Sequence, residues 1–208
     1  MSQYFVIHPD NPQQRLLAKA TEIIRDGGVV VIPTDSCYAL ACHLGDKGAM
    51  DRIREIRRVD DRHHLTLMCR DLSEIAQYAK VDNVQYRLLK AATPGSYTFI
   101  LEGTKELPRR LLHPKRKTIG LRVPEHPVVQ ALLTELREPL LTTTLHLPGD
   151  DEPLTGGWEI QERLEGQVEL ILDGGYCGIE PTTVIDLTAD APVLVRAGRG
   201  DLGLFGLS

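Results

Sequence analysis

Apolar residues recur at two different spacings in the N-terminal part of the chain. Over residues 16–24 they follow the three-to-four-residue spacing of an amphipathic helix, which we expect over residues 12–26 with Asn11 as its N-cap. Residues 29–32 are instead an unbroken apolar run of β-branched side chains, which is typical of a strand buried on both faces. The following Pro33 lacks a backbone donor and should end that strand.

The same two patterns alternate through the rest of the chain. Further helices are expected where a capping or opening residue precedes helical spacing: after Asp46, after Asp71, after Asp82 or Asn83, from Pro127, and over residues 158–164. Strand-like runs occupy residues 4–7, 64–69, 96–102, 118–123, 139–145, 168–172, 182–187 and 193–197. Because helices and strands interleave without a clear linker, we expect one domain over residues 1–208. Its fold class is α/β, with a single open, twisted, parallel or mixed sheet flanked by helices.

The composition is ordinary for a soluble globular protein: 42% of the 208 residues are hydrophobic and 25% are charged. No apolar run approaches the roughly 20 residues of a membrane span, and the N-terminus shows no signal-peptide pattern. The cysteines form no CxxC pair, which favours reduced thiols over disulfides or a zinc site; they are Cys37, Cys42, Cys69 and Cys177. We therefore expect a cytoplasmic protein without a membrane partner.

Positive charge is concentrated in two segments, although the formal net charge is −5. The first basic tract consists of Arg52, Arg54, Arg57, Arg58 and Arg62. The second basic tract consists of Lys105, Arg109, Arg110, Lys115, Arg116, Lys117 and Arg122. Such asymmetry can focus a positive potential on one cleft and attract an anionic ligand. The alternative interpretation is that each tract is a solvated surface.

Three short polar side chains follow the buried strand directly. Thr34, Asp35 and Ser36 stand where that strand should end, and ligands of open α/β sheets bind just outside the carboxyl ends of strands. The alternative is that these residues only cap a turn. Residues 198–203 match GxGxxG but leave no room for a following helix, and the sequence contains no P-loop, HExxH or GxSxG motif.

Seven segments occur in an order that resembles the YrdC/YciO family, and most of all its YciO branch. They are GGVVVIPTDSCYAL, IREIRRVDDRHHLTLM, TPGSYTFIL, TIGLRVPEHPV, LLTTTLHLPG, ILDGGYCGIEPTTVIDL and VRAG. The resemblance implies a YrdC-like fold with a positively charged concave face. It also implies L-threonylcarbamoyladenylate synthase chemistry, in which L-threonine, bicarbonate and ATP give threonylcarbamoyl-AMP and pyrophosphate for a tRNA modification. ATP with Mg²⁺ is then a substrate, and neither a tightly bound cofactor nor a metal site of the protein itself is expected.

The resemblance also assigns roles to individual residues. Threonine-binding positions of the family fall on Thr34, Ser36, Arg122, Thr182 and Thr183. Arg122 suits a carboxylate because its guanidinium is a planar, two-pronged donor. Nucleotide-binding positions fall on Thr118 and Arg196. No catalytic residue is assigned.

The chain departs from the family pattern where ATP would lie. The Lys-x-Arg pair of the family aligns with Arg57, Arg58 and Val59, an asparagine aligns with His63, and the Ser-Ala-Asn motif aligns with Thr144, Leu145 and His146. A histidine ring titrates where an amide does not. The additional nucleotide-binding candidates are therefore Arg57, Arg58, His63, Thr144 and His146.

Two functions follow from these observations. The first is a nucleotide-binding enzyme of the threonylcarbamoyl-AMP synthase type with weak or altered activity. The second is a double-stranded RNA or tRNA-binding protein of the same fold without synthase activity, which would use the two basic tracts. Aromatic residues make up 5% of the chain, which disfavours recognition of single strands by stacking but not recognition of a duplex by its shape.

Overall fold

The computed structural model describes residues 1–207 and has ten strands and six helices in that range. The strands are β1 (Gln3–Val6), β2 (Val30–Ile32), β3 (Ala39–His43), β4 (Thr66–Met68), β5 (Tyr97–Glu102), β6 (Thr118–Arg122), β7 (Leu140–Thr144), β8 (Leu170–Asp173), β9 (Thr183–Asp186) and β10 (Val193–Arg196). The helices are α1 (Gln14–Arg25), α2 (Lys47–Arg57), α3 (Leu72–Tyr78), α4 (Asn83–Ala92), α5 (Pro127–Leu136) and α6 (Gly157–Leu164). Helices and strands interleave, which confirms the α/β class.

All ten strands join one open mixed sheet in the order β1-β8-β2-β3-β7-β4-β6-β5-β9-β10. The pairs β1–β8, β2–β8, β4–β6 and β5–β9 are parallel, and the other neighbours are antiparallel. The expected single sheet flanked by helices is therefore confirmed, and it is of the mixed kind.

The two faces of the sheet are covered to different extents. One face carries Leu40, Leu67 and Leu141 and packs against apolar side chains of α2, α3, α4 and α6. The other face is covered by α1 and α5 only over the part that includes β2 and β8. Because side chains alternate between the faces of a strand, the polar side chains of the neighbouring strands β7, β4, β6 and β5 point into the space that α1 and α5 leave free.

Several local expectations are confirmed. Val30, Val31 and Ile32 are fully buried, and β2 ends before Pro33. The side chain of Asp46 accepts from the backbone N–H of Ala49 at 2.8 Å and so caps α2. Asp71 caps α3 in the same way, and Asp82 caps α4 in a reciprocal capping box with Gln85.

The start of the first helix was predicted wrongly. The helix begins at Gln14 with Gln13 as its N-cap, not at Pro12 with Asn11 as its cap. The ring of His8 accepts the backbone N–H groups of Asp10 and Asn11 at 3.2 and 3.0 Å. These two hydrogen bonds hold the segment in a turn, so the helix begins two residues later than predicted.

The sequence pattern also missed a strand, β3, which pairs with β2 and β7. Its sequence is ALACH, in which two alanines face the core beneath α1 and α5. Alanine is depleted in strands, so the segment gave no strand signal. None of the helices in residues 1–207 is both long and apolar enough to cross a membrane.

Candidate functional site

A cleft of about 590 Å³ lies over the uncovered part of the sheet, within the size range of small-molecule sites. Its floor is formed by residues of neighbouring strands: Thr66, Thr98, Gly120, Thr142 and Thr144. Gly120 keeps this floor open, because a Cβ there would lie 3.0 Å from Cγ2 of Thr98. The cleft therefore lies on a face of the sheet, and only Ser36 and Cys37 reach it from the end of β2.

The polar residues after β2 form a tightly bonded turn. Thr34 Oγ1 donates to the carbonyl of Cys37 at 2.6 Å and accepts the N–H of Ser36 at 3.1 Å. The capping role considered for these residues is therefore observed, and Thr34 itself lies outside the main cleft. Thr34, Asp35 and Ser36 also border a smaller cavity of about 320 Å³ behind the turn.

Arg122 reaches the cleft from the end of β6 and is buried, with 7% of its surface exposed. Its Nη2 forms an ion pair with Asp35, and its Nη1 donates to Ser36 Oγ at 3.3 Å. Asp35 is fixed in turn by Ser96 Oγ at 3.2 Å and by the N–H of Glu125 at 3.0 Å. Burial lowers the pKa of Arg122 and the Asp35 carboxylate opposes that shift, so the guanidinium stays charged.

One donor of Arg122 is unused. Its Nε is buried and has no hydrogen-bond partner within residues 1–207. A buried donor without an acceptor costs about 1–3 kcal/mol. The sequence prediction for Arg122, a grip on a carboxylate, stays a prediction.

Arg196 forms a second cationic border of the cleft. Its Nε and Nη2 donate to the carbonyl of Thr182 at 3.1 and 2.8 Å, and Nη2 lies 3.1 Å from Thr182 Oγ1. Thr182 Oγ1 also lies 2.8 Å from Thr98 Oγ1 across the sheet. Burial lowers the pKa of Arg196. Thr182 thus holds Arg196 beside the threonine-lined floor.

Thr183 lies on the opposite face of β9 from Thr182. Its hydroxyl donates to the carbonyl of Gly200 at 2.8 Å and accepts the N–H of Gly198 at 3.1 Å. The two adjacent threonines are therefore not brought together: Thr182 lines the cleft, whereas Thr183 holds the loop after β10.

Arg57 and His63 form a third group at the end of β7. Arg57 Nη1 donates to Thr143 Oγ1 at 2.6 Å and lies 3.2 Å from His63 Nε2. Arg57 Nε donates to the carbonyl of His146 at 3.3 Å, and His146 Nε2 donates to the carbonyl of Asp150 at 2.7 Å. Burial lowers the pKa values of both Arg57 and His63.

The remaining predicted site residues are divided between the cleft and its surroundings. Thr144 lines the cleft. Thr118 is buried on β6, on the same face as Gly120 but outside the residues that line the cleft. Arg58 is exposed at the end of α2, where its left-handed backbone (φ 51°) caps the helix. It is not among the residues that line the cleft.

Sequence reasoning missed several lining residues: Cys37, Thr98, Gly120, Thr142, Thr143 and Ile179. A glycine between apolar residues of a strand often marks a close approach of a ligand, so Gly120 carried a usable signal. The Thr143 contact with Arg57 joins positions 86 residues apart and left no local signal. Burial raises the pKa of the Cys37 thiol, which does not favour a nucleophilic role.

Charges of both signs border the cleft. Arg57, Arg122 and Arg196 oppose Asp151 and Glu152, and the rings of His63, His64 and His146 add donors and acceptors. With neutral histidines the lining carries one net positive charge, which favours an anionic ligand that also bears a hydrogen-bonding or cationic group.

Comparison with known proteins identifies relatives of this chain. The Sua5/YciO/YrdC family model, described as telomere recombination, matches residues 22–198. The uncharacterized protein YciO of Escherichia coli (strain K12) is 62% identical over 205 residues, which cover 99% of this chain and 100% of that protein. The crystal structure of E. coli YciO has a TM-score of 0.94, with the same identity and coverage.

More distant relatives carry a named activity. The threonylcarbamoyl-AMP synthase of Vibrio vulnificus (strain YJ016) is 28% identical over 161 residues, covering 76% of this chain and 86% of that protein. The crystal structure of P. abyssi Sua5 complexed with L-threonine is 26% identical, with a TM-score of 0.87. That match covers 95% of this chain and 58% of the Sua5 chain.

Proposed function

The chain belongs to the Sua5/YciO/YrdC family, and we propose that it binds ATP and L-threonine in the cleft and makes threonylcarbamoyl-AMP at an altered rate. The observation that carries this proposal is Arg122, a guanidinium that lines the cleft and is fixed there by Asp35 and Ser36. A fixed, planar guanidinium at the border of a cleft suits a ligand carboxylate. The carboxylate of threonine is such a ligand.

At this end of the cleft, the threonine carboxylate accepts from Arg122 and lies beside Ser36 Oγ. Asp35 keeps the guanidinium oriented, because its two oxygens are held by Arg122, Ser96 and the N–H of Glu125. The amino group of threonine is then free to attack bicarbonate, which forms the N–C bond of the carbamate and releases water. Fixing threonine in this way lowers the entropic part of the barrier.

Arg196, on the side of β9 and β10, and Arg57, on the side of β7, offset the charge of the ATP phosphates together with Mg²⁺ bound to ATP. The carbamate oxygen attacks the α-phosphorus and pyrophosphate leaves, so charge develops on the phosphate oxygens. Fixed guanidinium donors stabilise that charge without reorganising. Arg196 is held in place by Thr182.

The altered rate follows from the departures in the phosphate region. Two of the nitrogens of Arg57 already donate to Thr143, His63 or the carbonyl of His146. Arg58 is exposed outside the cleft, and Val59 supplies no charge. Fewer free donors therefore reach the phosphates than in relatives with the Lys-x-Arg pair, and the expected turnover is lower.

The test is release of pyrophosphate from ATP by the purified protein with Mg²⁺, L-threonine and bicarbonate. Release should require all of these components and should fall at least about tenfold in Arg196→Gln, because one charge that stabilises the transition state is lost. Arg87→Gln is the matched control, since Arg87 is exposed on α4 at the opposite face of the sheet. Absence of pyrophosphate with ATP, GTP, CTP and UTP alike would refute the proposal.

A second function, binding of double-stranded RNA or tRNA, is favoured by one contact. The rings of His64 and His113 lie 5.6 Å apart and bring the two basic tracts together beside the cleft. Several cations of these tracts are exposed and have no salt-bridge partner in the described part of the chain: Arg58, Arg62, Lys105, Arg109 and Lys115. Together they form a basic surface that suits a phosphate backbone.

Binding of duplex RNA across a series of salt concentrations tests this second function. The affinity should fall steeply as salt rises from about 50 to 200 mM. In the double variant Arg109→Gln/Lys115→Gln the slope should decrease by about two, one unit for each lost phosphate contact. The double variant Arg87→Gln/Lys90→Gln on α4 serves as the control. Binding that is absent, or insensitive to salt, would exclude this function.

A further inference from the structure

The ring of His63 lies between a permanent cation and a hydroxyl. His63 Nε2 is 3.2 Å from Arg57 Nη1 and 3.3 Å from Thr143 Oγ1. A guanidinium can only donate hydrogen bonds, so His63 Nε2 must accept and carries no hydrogen. In the free protein the ring is therefore neutral, with its proton on Nδ1. Both Arg57 and His63 line the cleft.

We propose that His63 makes anion binding in this cleft proton-coupled: a bound phosphate takes over the Arg57 N–H that His63 now accepts, and His63 then takes one proton from solvent on Nε2 and donates a hydrogen bond through it to the phosphate. The location of the phosphate beside Arg57 rests on the proposed function. The Nε2–H bond of the ring is the one bond formed, and its proton comes from the buffer. His63 thereby selects phosphates over neutral ligands.

The surroundings of the ring explain why the ligand is needed for protonation. Burial, followed by the charges of Arg57 and Arg54 and by His64, lowers the pKa of His63, and only Asp60 raises it among the described groups. Other titratable groups of the cleft are His146, whose carbonyl holds Arg57 from the side of β7, and the carboxyl groups of Asp151 and Glu152. A phosphate placed beside the ring adds negative charge next to Arg57. This negative charge raises the pKa of His63 and favours the protonated ring.

The sign of the pH dependence follows from this exchange. The complex holds one more proton than the free protein, so the affinity for phosphate rises as the pH falls between the pKa values of the bound and the free ring. The expected rise is up to about tenfold per pH unit. Below the pKa of the free ring the dependence disappears, since both states are then protonated.

The experiment is calorimetric titration at pH 7 with two probes, ATP–Mg²⁺ and inorganic pyrophosphate, in buffers of different ionisation enthalpy. The slope of the observed enthalpy against the buffer enthalpy gives the number of protons taken up. We expect an uptake of up to about one proton in the wild-type protein, and a reduced uptake in His63→Asn, which keeps a hydrogen-bonding side chain. His43→Gln is the matched control, because His43 on β3 pairs with Glu138, lies outside the residues that line the cleft and should leave the uptake unchanged.

Two outcomes overturn the inference: equal uptake in His63→Asn and wild type, or loss of uptake in His43→Gln instead. Failure of both probes to bind also overturns it, since the cleft then takes no phosphate. Should His63→Asn misfold, the imidazole ¹³C resonances of the wild-type protein, followed with pH with and without pyrophosphate, must show His63 titrating at higher pH in the complex. Proton-coupled binding of pyrophosphate without synthesis from threonine would uphold the inference while refuting the proposed function.

Discussion

Arg122 is stabilised by protein groups on one side only. Its Nη atoms are bonded to Asp35 and Ser36, and its Nε is left without an acceptor in the described chain. The buried ion pair with Asp35 therefore serves two purposes. It neutralises a charge that burial would otherwise penalise, and it fixes the guanidinium at the border of the cleft.

Replacing Arg122 by lysine should separate these purposes. Lysine keeps the positive charge beside Asp35 but cannot present a planar fork to a carboxylate. We expect Arg122→Lys to fold and to raise the KM for threonine by about tenfold or more, the cost of losing a charge-assisted hydrogen bond. Steady-state pyrophosphate release at varied threonine concentrations measures this change. An unchanged KM would show that threonine binds elsewhere.

The partner variant tests whether Asp35 acts through Arg122. Arg122→Gln alone leaves the Asp35 carboxylate buried and unpaired, and should lower the free energy of unfolding by about 3–5 kcal/mol. The double variant Asp35→Asn/Arg122→Gln should recover most of that loss without recovering threonine-dependent turnover. Urea unfolding of the three proteins gives the free energies. A double variant as unstable as the single one would contradict the role assigned to this pair.

At the scale of single elements, β6 determines whether the cleft exists. Gly120 pairs with Thr66 on β4 and Ile100 on β5, and its backbone is that of an ordinary strand. The variant Gly120→Val should therefore fold with a small shift of Thr98, while its side chain fills the floor of the cleft. ATP binding should weaken by about tenfold or more, which is the cost of even one misfit methylene group. Calorimetric titration with ATP–Mg²⁺ checks this.

Ile119 offers the matched control for that experiment. It is the neighbouring residue on β6 but faces the helix-covered core. Ile119→Val should cost about 0.5–1.5 kcal/mol of stability and leave ATP binding unchanged. If both variants weaken binding equally, the effect comes from the strand and not from the open face.

Helix α4 provides a prediction about stability alone. Its capping box joins Asp82 and Gln85 reciprocally, and the helix packs on the face opposite the cleft. Asp82→Ala should lower the free energy of unfolding by about 1 kcal/mol, which corresponds to a Tm lower by about 2–4 °C for a chain of this length. Thermal unfolding monitored by circular dichroism measures the shift. Turnover per folded molecule should not change.

Some of these elements could be predicted from the sequence and others could not, for physical reasons. The buried β-branched run of β2 and the aspartate caps are local signals, and the structure confirms them. The strand β3 was missed because its alanines obtain their strand conformation from pairing with β2 and β7, not from local preference. The start of α1 was misplaced because the His8 ring bonds the chain into a turn. Contacts between distant side chains, such as Arg57 with Thr143, are set by the sheet order.

For the whole molecule, the incomplete cover of one sheet face is the feature from which the proposed function follows. Helices α1 and α5 protect the apolar strands β2 and β8, and the threonine-rich strands beyond them stay open to solvent. The sequence already carried this division, because β7 reads LLTTT and combines core leucines with threonines that line the cleft. The order of the strands, which brings β7, β4, β6 and β5 side by side, could not be derived from the chain alone.

A cleft built across several strands should couple ligand binding to global stability. A ligand that binds only the folded state at about 100 times its Kd adds about 2.7 kcal/mol, which raises the Tm of a chain of this length by about 5–10 °C. We expect ATP–Mg²⁺ with L-threonine to produce such a shift, measured by thermal unfolding.

Asp82→Ala should start from a lower Tm and show the same increment, since its cap lies far from the cleft. Gly120→Val should show a much smaller increment, because the ligand has lost its floor. An equal increment in Gly120→Val would mean that ATP binds outside the open face, and the basic surface around His64 and His113 would then be the place to look for it.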